Sequence, residues 1–408
     1  MLPRRPGVDQ QFKLIFLPLH RVVDSSYGTE FAWPLRLGIS ASEGGLRFTA
    51  VCGSIDARSR ATLESYGNKV ITTGKGTTSD YTQRSFTNNL AFYYGLATQG
   101  ILEALGKNAV IHHAFPLGFR AGFNPIVAAG IHKPAVVGPL LYHPDQKLEV
   151  HESIKQGIPV YDVPPSRQGA ILERLYRRTL KNSDLILLDS HETLSQVGSV
   201  VPEVLDKEAV VLNSVGVEIR DEPRKNFAEG PSMKLLVATY LRPRKRVDTI
   251  IRALSRLPLG LFTLDIVGDG PSMPYLKRLT KELNVESTIR FKGRVDNVKL
   301  LHLLDEYDLL IHLDIVPPLV NSIVQEAVAS ALPVAVSTYS RVGRARGLPY
   351  GWEVDMEDEG VLADLLLELY NNPSLLAGKS YEAIQFATKE MSYKAVGRKL
   401  FKAYQSLL

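Results

Sequence analysis

Short apolar runs of strand length alternate with helix-length segments along almost the whole chain. Parallel strands need a crossover between them, usually a helix, so this alternation predicts βαβ units and parallel sheets. The predicted fold class is therefore α/β. The strand candidates are residues 13–19, 47–53, 108–115, 134–140, 184–190, 209–217, 233–240, 262–271, 288–295, 308–316 and 332–338.

A polar segment divides this pattern into two halves. Residues 218–232 carry Gly and Pro and show no apolar period, as is typical of a linker. With 408 residues, of which 45% are hydrophobic, the chain is long enough for two or three domains. We expect one Rossmann-like domain over residues 1–219, a linker over 220–233, a second such domain over 234–388, and a C-terminal helix over 389–408. A ligand is then expected in the cleft between the domains, at the carboxyl ends of the strands.

Composition narrows the class of protein. The net charge is only +5 and no dense basic block is present, so a nucleic-acid partner is not expected. Cys52 is the only cysteine, which excludes a disulfide within the chain and a cysteine zinc cluster. The apolar run at residues 14–19 is too short for a signal sequence or a membrane span, so we expect a cytoplasmic protein. The basic run at 174–181 is most simply a solvated face, and peripheral docking to anionic lipids is the alternative.

The segment NSIVQEAVASALP, residues 321–333, predicts a helix with local start and stop signals. Ser322 and Gln325 fit a capping box, so Ile323 would open the helix, and Pro333 ends it. The first N–H groups of a helix lack intrahelical partners and, with the helix dipole, form an anion site.

Glu326 would lie about one turn inside this helix. A carboxylate beside an anion site can accept hydrogen bonds from paired hydroxyls, such as the 2′ and 3′ hydroxyls of a ribose. The alternative is a glutamate that only complements the helix dipole. Propensity alone does not separate the two interpretations.

Four segments of the second half, in order, carry a family resemblance: LLVATYLRPRKRVDTIIRAL, LDIVGDGPSMPYLKRL, IRFKGRVDN and NSIVQEAVASALPV. Together they resemble the donor half of GT-B glycosyltransferases, most of all the retaining family four, or glycosyl transferases group 1, as a divergent member. The resemblance covers nearly all of residues 209–408 and, more loosely, the first half. It implies two Rossmann-like domains facing each other across a cleft. It also implies transfer of a sugar from a nucleotide-diphosphate sugar to an acceptor hydroxyl with retention.

The resemblance also assigns roles to residues. Glu326 matches the ribose-binding glutamate, and Lys245 matches a lysine that neutralises the donor diphosphate. The family's arginine five positions before Lys245 falls on Tyr240, so Arg242 or Arg244 would supply that charge, and we place Arg242 in the site. The donor-binding set implied by the resemblance is Glu326, Asn321, Ser322, Ile323, Gly28, Gly268, Arg294 and Val295.

Two further positions bear on the transferred sugar. The family carries a first glutamate eight positions before the second, where this chain has Pro318. A histidine of the family lies at the end of a strand near the sugar, and His112 and His113 both fall there. Adjacent residues of a strand point to opposite faces, so one of them faces the cleft, and we assign His113. A lone histidine is also a common core residue.

The sequence therefore predicts a nucleotide-sugar-dependent glycosyltransferase with catalytic candidates His113, Lys245 and Arg242. No D-x-D follows an apolar strand, so neither a metal nor another cofactor is expected. The acceptor would lie against the first domain, and the C-terminal helix would cross back onto it, with Val396, Leu400, Phe401 and Tyr404 forming one stripe. The alternatives are a catalytically silent GT-B protein that binds a nucleotide or partner, and a GT-B epimerase or phosphorylase.

Overall fold

The chain divides into two compact units. The first comprises Met1–His143, Val163–Gly216 and Ser392–Leu408, and the second comprises Pro144–Asp162 and Val217–Met391. The structure is a computed structural model. It describes residues 12–22, 29–72, 95, 98–103, 108–114, 123–131, 134–142, 146–158, 167–224, 226–227, 230–337 and 344–408.

The elements follow the predicted alternation of strands and helices. The strands are β1 Lys13–Val22, β2 Phe48–Ile55, β3 Lys69–Thr72, β4 Ala109–His113, β5 Ala135–Leu140, β6 Leu185–Leu188, β7 Glu208–Val211, β8 Met233–Ala238, β9 Phe262–Val267, β10 Ile289–Gly293, β11 Leu309–His312, β12 Val334–Ser337, β13 Arg346–Leu348 and β14 Gly351–Val354. The α-helices are α1 Thr29–Glu43, α2 Ala57–Ser65, α3 Pro125–Ala129, α4 Gln146–Lys155, α5 Arg167–Asn182, α6 His191–Gly198, α7 Val247–Ser255, α8 Met273–Glu282, α9 Asn297–Leu303, α10 Ser322–Ala329, α11 Glu359–Asn371, α12 Ser374–Glu390 and α13 Tyr393–Gln405. Short 3₁₀ helices lie at Pro202–Val204, Pro243–Lys245, Leu304–Glu306 and Pro318–Val320.

Each unit is built on one sheet. In the first unit the strand order over the described residues is β3-β2-β1-β4-β5-β6-β7, with parallel pairing throughout. In the second it is β10-β9-β8-β11-β12-β14-β13, parallel except for β13 against β14. In both, the order reverses beside the first strand, as it does in Rossmann-like folds. The predicted fold class of two Rossmann-like α/β domains with parallel sheets is confirmed.

The central strands are buried on both faces. Along β1, Leu14 and Phe16 belong to one hydrophobic cluster, whereas Ile15 and Leu17 belong to another. Successive side chains of a strand point to opposite faces, so both faces of the sheet are covered. This is why the strands appear in the sequence as near-continuous apolar runs rather than as alternating ones.

The C-terminal helix α13 packs against α1 within the first unit. The two helices cross at glycines, and a Cβ added to Gly397 would lie 2.1 Å from the Ser40 carbonyl oxygen. The Tyr404 hydroxyl lies 2.7 Å from Nδ1 of His112, whose Nε2 lies 2.9 Å from the Gly138 carbonyl oxygen. Burial lowers the pKa of His112 to about 3. The neutral ring therefore donates to Gly138 and accepts from Tyr404, which joins α13 to the centre of the sheet.

Two segments differ from the predicted domain boundaries. Residues 144–162 were expected in the first domain, but they belong to the second unit. The Glu152 side chain of α4 forms an ion pair with Arg246 of that unit at 3.2 Å.

The segment predicted as a linker is anchored in its described part. The Arg220 N–H donates to the Ala329 carbonyl (2.9 Å), and Arg224 donates through Nη2 to the Asp305 carbonyl (2.7 Å) and through its N–H to Ser380 Oγ (2.8 Å). Its low hydrophobicity therefore reflects polar anchoring to the second unit rather than free solvation.

Within the described part of the chain, no helix combines the length and the apolar character needed to cross a membrane.

We expect Tyr404→Phe to lower the free energy of unfolding by about 1–3 kcal/mol, because it leaves the buried Nδ1 of His112 without its donor. The measurement is the thermal midpoint of the wild type and the variant. Tyr381→Phe, which removes the hydroxyl of a tyrosine that is 56% exposed, is the matched control and should leave the midpoint unchanged. An unchanged midpoint for Tyr404→Phe would contradict the structural role of this hydrogen bond.

Candidate functional site

The candidate site lies at the carboxyl edge of the second unit's sheet. The strand order reverses between β8 and β11. Strands β9 and β10 lie on one side of β8, whereas β11 and β12 lie on its other side. Connections from neighbouring strands leave in opposite directions at such a switch point and open a crevice there. The residues that follow these strands are therefore the first candidates for binding.

A cavity of about 310 Å³ opens beside the ends of β8, β9 and β10. Its lining includes Thr239, Val267, Gly268, Arg294, Val295 and Leu300. The volume is at the lower end of the range for small-molecule sites, and the walls are mostly apolar, as a flat ring system requires. The structure thus brings the predicted residues Gly268, Arg294 and Val295 together in one cavity.

Gly268 lines the cavity at a point where no side chain fits. Its φ is 129°, and a Cβ there would lie 1.8 Å from the Thr239 carbonyl oxygen. The Gly268 N–H donates to the Gly293 carbonyl at 2.8 Å, and the Leu241 N–H donates to the Asp269 carbonyl at 2.8 Å. The loops after β8, β9 and β10 are therefore tied to one another at backbone distance.

A cluster of charged side chains lies farther along the same edge. The 3₁₀ helix Pro243–Lys245 carries Arg244 and Lys245, and Asp314 follows β11. The Lys245 ammonium contacts Asp314 Oδ2, Asn321 Oδ1 (2.9 Å) and His312 Nε2 (3.4 Å). Arg244 donates through Nη1 to Asp314 Oδ1 at 2.7 Å. One carboxylate thus binds two cations.

Burial sets the electrostatics of this cluster. The Lys245 side chain is 8% exposed and that of Asp314 is 1% exposed. Burial lowers the pKa of Lys245, and the Asp314 carboxylate opposes that shift. Burial also works against the ionised form of Asp314, but Lys245, His312 and Arg244 outweigh it and hold the pKa of Asp314 below its usual range. Burial and the charge of Lys245 lower the pKa of His312, so its ring is neutral.

The start of α10 differs from the predicted capping box. The helix begins at Ser322, and Asn321 is its N-cap without a side-chain capping bond. The Gln325 Nε2 donates to the Leu319 carbonyl at 2.6 Å. The Asn321 side chain binds Lys245 rather than the helix, and the Asn321 backbone carbonyl accepts from the N–H groups of Val324 and Gln325, so the N–H groups of Ser322 and Ile323 are the candidates for binding an anion.

The other predicted residues are distributed as follows. Glu326 lies one turn inside α10 and is 3% exposed. Arg242 is exposed, its guanidinium lies over the Tyr240 ring at 5.2 Å, and its charge acts on Lys245. His113 ends β4 in the first unit and is buried, on the opposite strand face from His112. Gly28 lies outside the described residues.

Asp314 was not predicted from the sequence. Its only signal is an acidic residue two positions after the end of the buried strand β11, at the switch point of the sheet. In the described ranges, no group of three or more His, Cys, Asp or Glu side chains could hold a metal ion.

The family model described as glycosyl transferases group 1 matches residues 218–389. The match spans less than half of the chain. This segment contains the cavity, the charged cluster and α10, so the resemblance carried by the four motifs is confirmed.

The comparisons with known proteins agree with this assignment. N-acetyl-alpha-D-glucosaminyl L-malate synthase from Bacillus anthracis is 27% identical over 147 residues, which cover 34% of this chain and 38% of that relative. The chain therefore matches well under half of the relative's length.

Solved structures match over nearly the whole chain. The Anabaena protein HepE, in complex with UDP and glucose, matches with a TM-score of 0.60 and 15% identity, covering 97% of this chain and all of that one. Sucrose-phosphate synthase from Thermosynechococcus elongatus matches with a TM-score of 0.62 and 13% identity, covering 98% and 99%. At this level of identity the matches show a shared GT-B fold.

We expect Gly268→Ala to unfold the second unit or displace the loop after β8, because the new Cβ cannot occupy space 1.8 Å from a backbone oxygen. The control is Gly293→Ala. Gly293 also has a positive φ, of 67°, but nothing lies within 4 Å of its added Cβ, so it should lose only about 1–2 kcal/mol. Thermal melts of both variants check this, and equal losses would contradict the steric account.

Proposed function

We propose that this protein is a retaining glycosyltransferase that moves a sugar from a nucleotide-diphosphate sugar to an acceptor hydroxyl. The observation that carries the proposal is the arrangement along one sheet edge of the second unit. A cavity of nucleoside size, two adjacent cations and an uncapped helix start follow one another there, within residues 218–389 that match the family. The cavity would bind a base, the cations and the helix start would bind a diphosphate, and the ribose would lie between the base and the diphosphate.

The base would occupy the cavity against Gly268, Arg294 and Val295. The ribose hydroxyls would donate to the Glu326 carboxylate, one turn inside α10. The diphosphate would accept hydrogen bonds from the N–H groups at Ser322 and Ile323, which follow the N-cap Asn321.

Arg244 is the better direct phosphate ligand of the two clustered cations. A guanidinium has five N–H donors, and only one of those of Arg244 is used on Asp314. The Lys245 ammonium has three donors and already contacts Asp314 Oδ2, Asn321 Oδ1 and His312 Nε2, so it would act mainly through its charge.

The chemistry follows from this arrangement. As the bond to the sugar breaks, negative charge grows on the departing diphosphate. Preorganised cations and helix N–H groups stabilise that charge more in the transition state than in the ground state, which lowers the barrier. These groups can perform the task that a metal ion performs elsewhere, so we propose transfer without a metal or other cofactor. His113 and Arg242 remain predicted site residues, and UDP, present in the HepE complex, is the first nucleotide to test.

A second candidate is a chain that binds the nucleotide and transfers no sugar. Pro318, where the family has a glutamate, cannot accept a hydrogen bond through its side chain, and Lys245 is engaged by protein groups. Both observations favour this alternative.

Titration calorimetry with UDP, GDP, ADP and the matching nucleosides tests binding, and hydrolysis or transfer of the cognate nucleotide sugar tests turnover. The proposal predicts that one diphosphate binds and that its sugar conjugate is turned over. Binding without turnover would select the second candidate, and absence of binding to every nucleotide would refute both.

Glu326→Gln should weaken binding of the cognate nucleotide by roughly 1–3 kcal/mol, or about tenfold to a hundredfold, because one ribose hydroxyl loses a charged acceptor. The 2′,3′-dideoxy nucleotide should bind the wild type weakly and the variant hardly worse, since the hydroxyls are already missing. Calorimetry on this cycle of two proteins and two ligands measures the coupling. Additive losses would show that Glu326 only complements the helix dipole.

A further inference from the structure

We propose that Asp314 is a positioning residue of the diphosphate site: its two oxygens hold Lys245 and Arg244 side by side, and its carboxylate is the counter-charge of the buried Lys245. This inference rests on the proposed function for its ligand, a nucleoside diphosphate. The geometry behind it belongs to the second unit and stands on its own contacts.

The Asp314 carboxylate is held rigidly. The backbone N–H of Asp314 donates to Ser337 Oγ at 2.9 Å, and the Ser337 hydroxyl donates to the Asp314 carbonyl at 2.9 Å. The Ile315 N–H donates to Oδ1 at 2.8 Å. The side chain is almost completely buried and bound at both oxygens, so it cannot turn away when an anion arrives.

Each oxygen holds a different cation. Oδ1 binds Arg244 and Oδ2 binds Lys245, so the carboxylate fixes the two positive groups next to each other. Without it they would repel each other across a short distance. Two cations and one carboxylate leave an excess of one positive charge, which attracts a diphosphate.

Lys245 depends on Asp314 for its proton. The other described groups that contact or act electrostatically on it are His312, which is neutral, the amide of Asn321, and the cations Arg244 and Arg242. Neither cation favours a charged lysine, and a buried amine without a counter-charge loses its proton near neutral pH. Asp314 is the only carboxylate among these groups. Without Asp314, burial alone would discharge Lys245.

The test compares wild type, Asp314→Asn and Asp314→Asn/Lys245→Arg by calorimetry with UDP and uridine between pH 7 and pH 9. At each pH the affinity of each variant is compared with that of the wild type, so that ionisation of the nucleotide itself cancels. In Asp314→Asn we expect at least about a tenfold loss of UDP affinity at pH 9, and partial recovery at pH 7, where Lys245 takes up its proton again. Uridine affinity should not change.

The double variant separates charge from shape. A guanidinium keeps its charge when buried, so Lys245→Arg should remove the pH dependence that Asp314→Asn introduces. Asp314→Glu, which retains the charge but moves it, should lose affinity without acquiring pH dependence, and it also serves if Asp314→Asn does not fold. Equal or tighter UDP binding by Asp314→Asn at every pH would overturn the proposal.

A measurement without any ligand tests the role of Asp314 separately from the proposed function. Lysines labelled biosynthetically with ¹³C at Cε report their charge in NMR spectra, and comparison with Lys245→Arg assigns the signal. The Lys245 signal should titrate at lower pH in Asp314→Asn than in the wild type. If the wild type binds no nucleotide, the proposed function fails, and this titration still decides the role of Asp314. A Lys245 signal that stays charged in Asp314→Asn overturns it.

Discussion

Hydrophobic clusters cover both faces of the two sheets, and this limits the positions at which polar groups can lie. Side chains of β1 point into two separate hydrophobic clusters, and β8 and β11 of the second unit likewise alternate between two clusters. A polar group on such a strand is desolvated and needs a partner within the protein, as His112 of β4 has in Tyr404. Binding groups therefore collect after the strands end, and the reversal of strand order beside β8 provides the space there.

At that edge, one buried ion pair links the sheet to the helix start. Asp314 follows β11, Lys245 ends the 3₁₀ helix after β8, and Asn321 precedes α10, so the Lys245 ammonium connects three segments. Desolvation makes each charge costly by itself, and each is retained because the other is present. The same contacts draw the Asn321 side chain away from capping α10. The uncapped helix start and the positive cluster are thus two consequences of one interaction.

The strands with long apolar runs could be predicted from the sequence, because burial on both faces leaves a direct compositional signal. The edge strands β3 and β13, which are short and partly exposed, were not predicted, and neither was β14, a strand of four residues beside β13. The predicted capping box was wrong because Ser322 and Gln325 fit the pattern locally, while the partner that decides the cap, Lys245, is distant in sequence.

Long-range contacts also explain the other misses. The polar segment 218–232 was predicted to be a linker, because Arg220 and Arg224 give no local sign of the carbonyl groups they bind. Glu152 likewise gives no sign that it holds α4 on the second unit. Asp314 is a single acidic residue without a motif, and only the folded sheet places it between Arg244 and Lys245.

The most direct test of this site is a crystal structure of the protein with the nucleoside diphosphate that calorimetry selects. We expect the base in the cavity against Gly268 and Val295, and the ribose on Glu326. We expect the diphosphate between the start of α10 and Arg244, with the contact between Asp314 and Lys245 intact. A nucleotide bound away from this edge, or a diphosphate that displaces Lys245 from Asp314, would contradict the account.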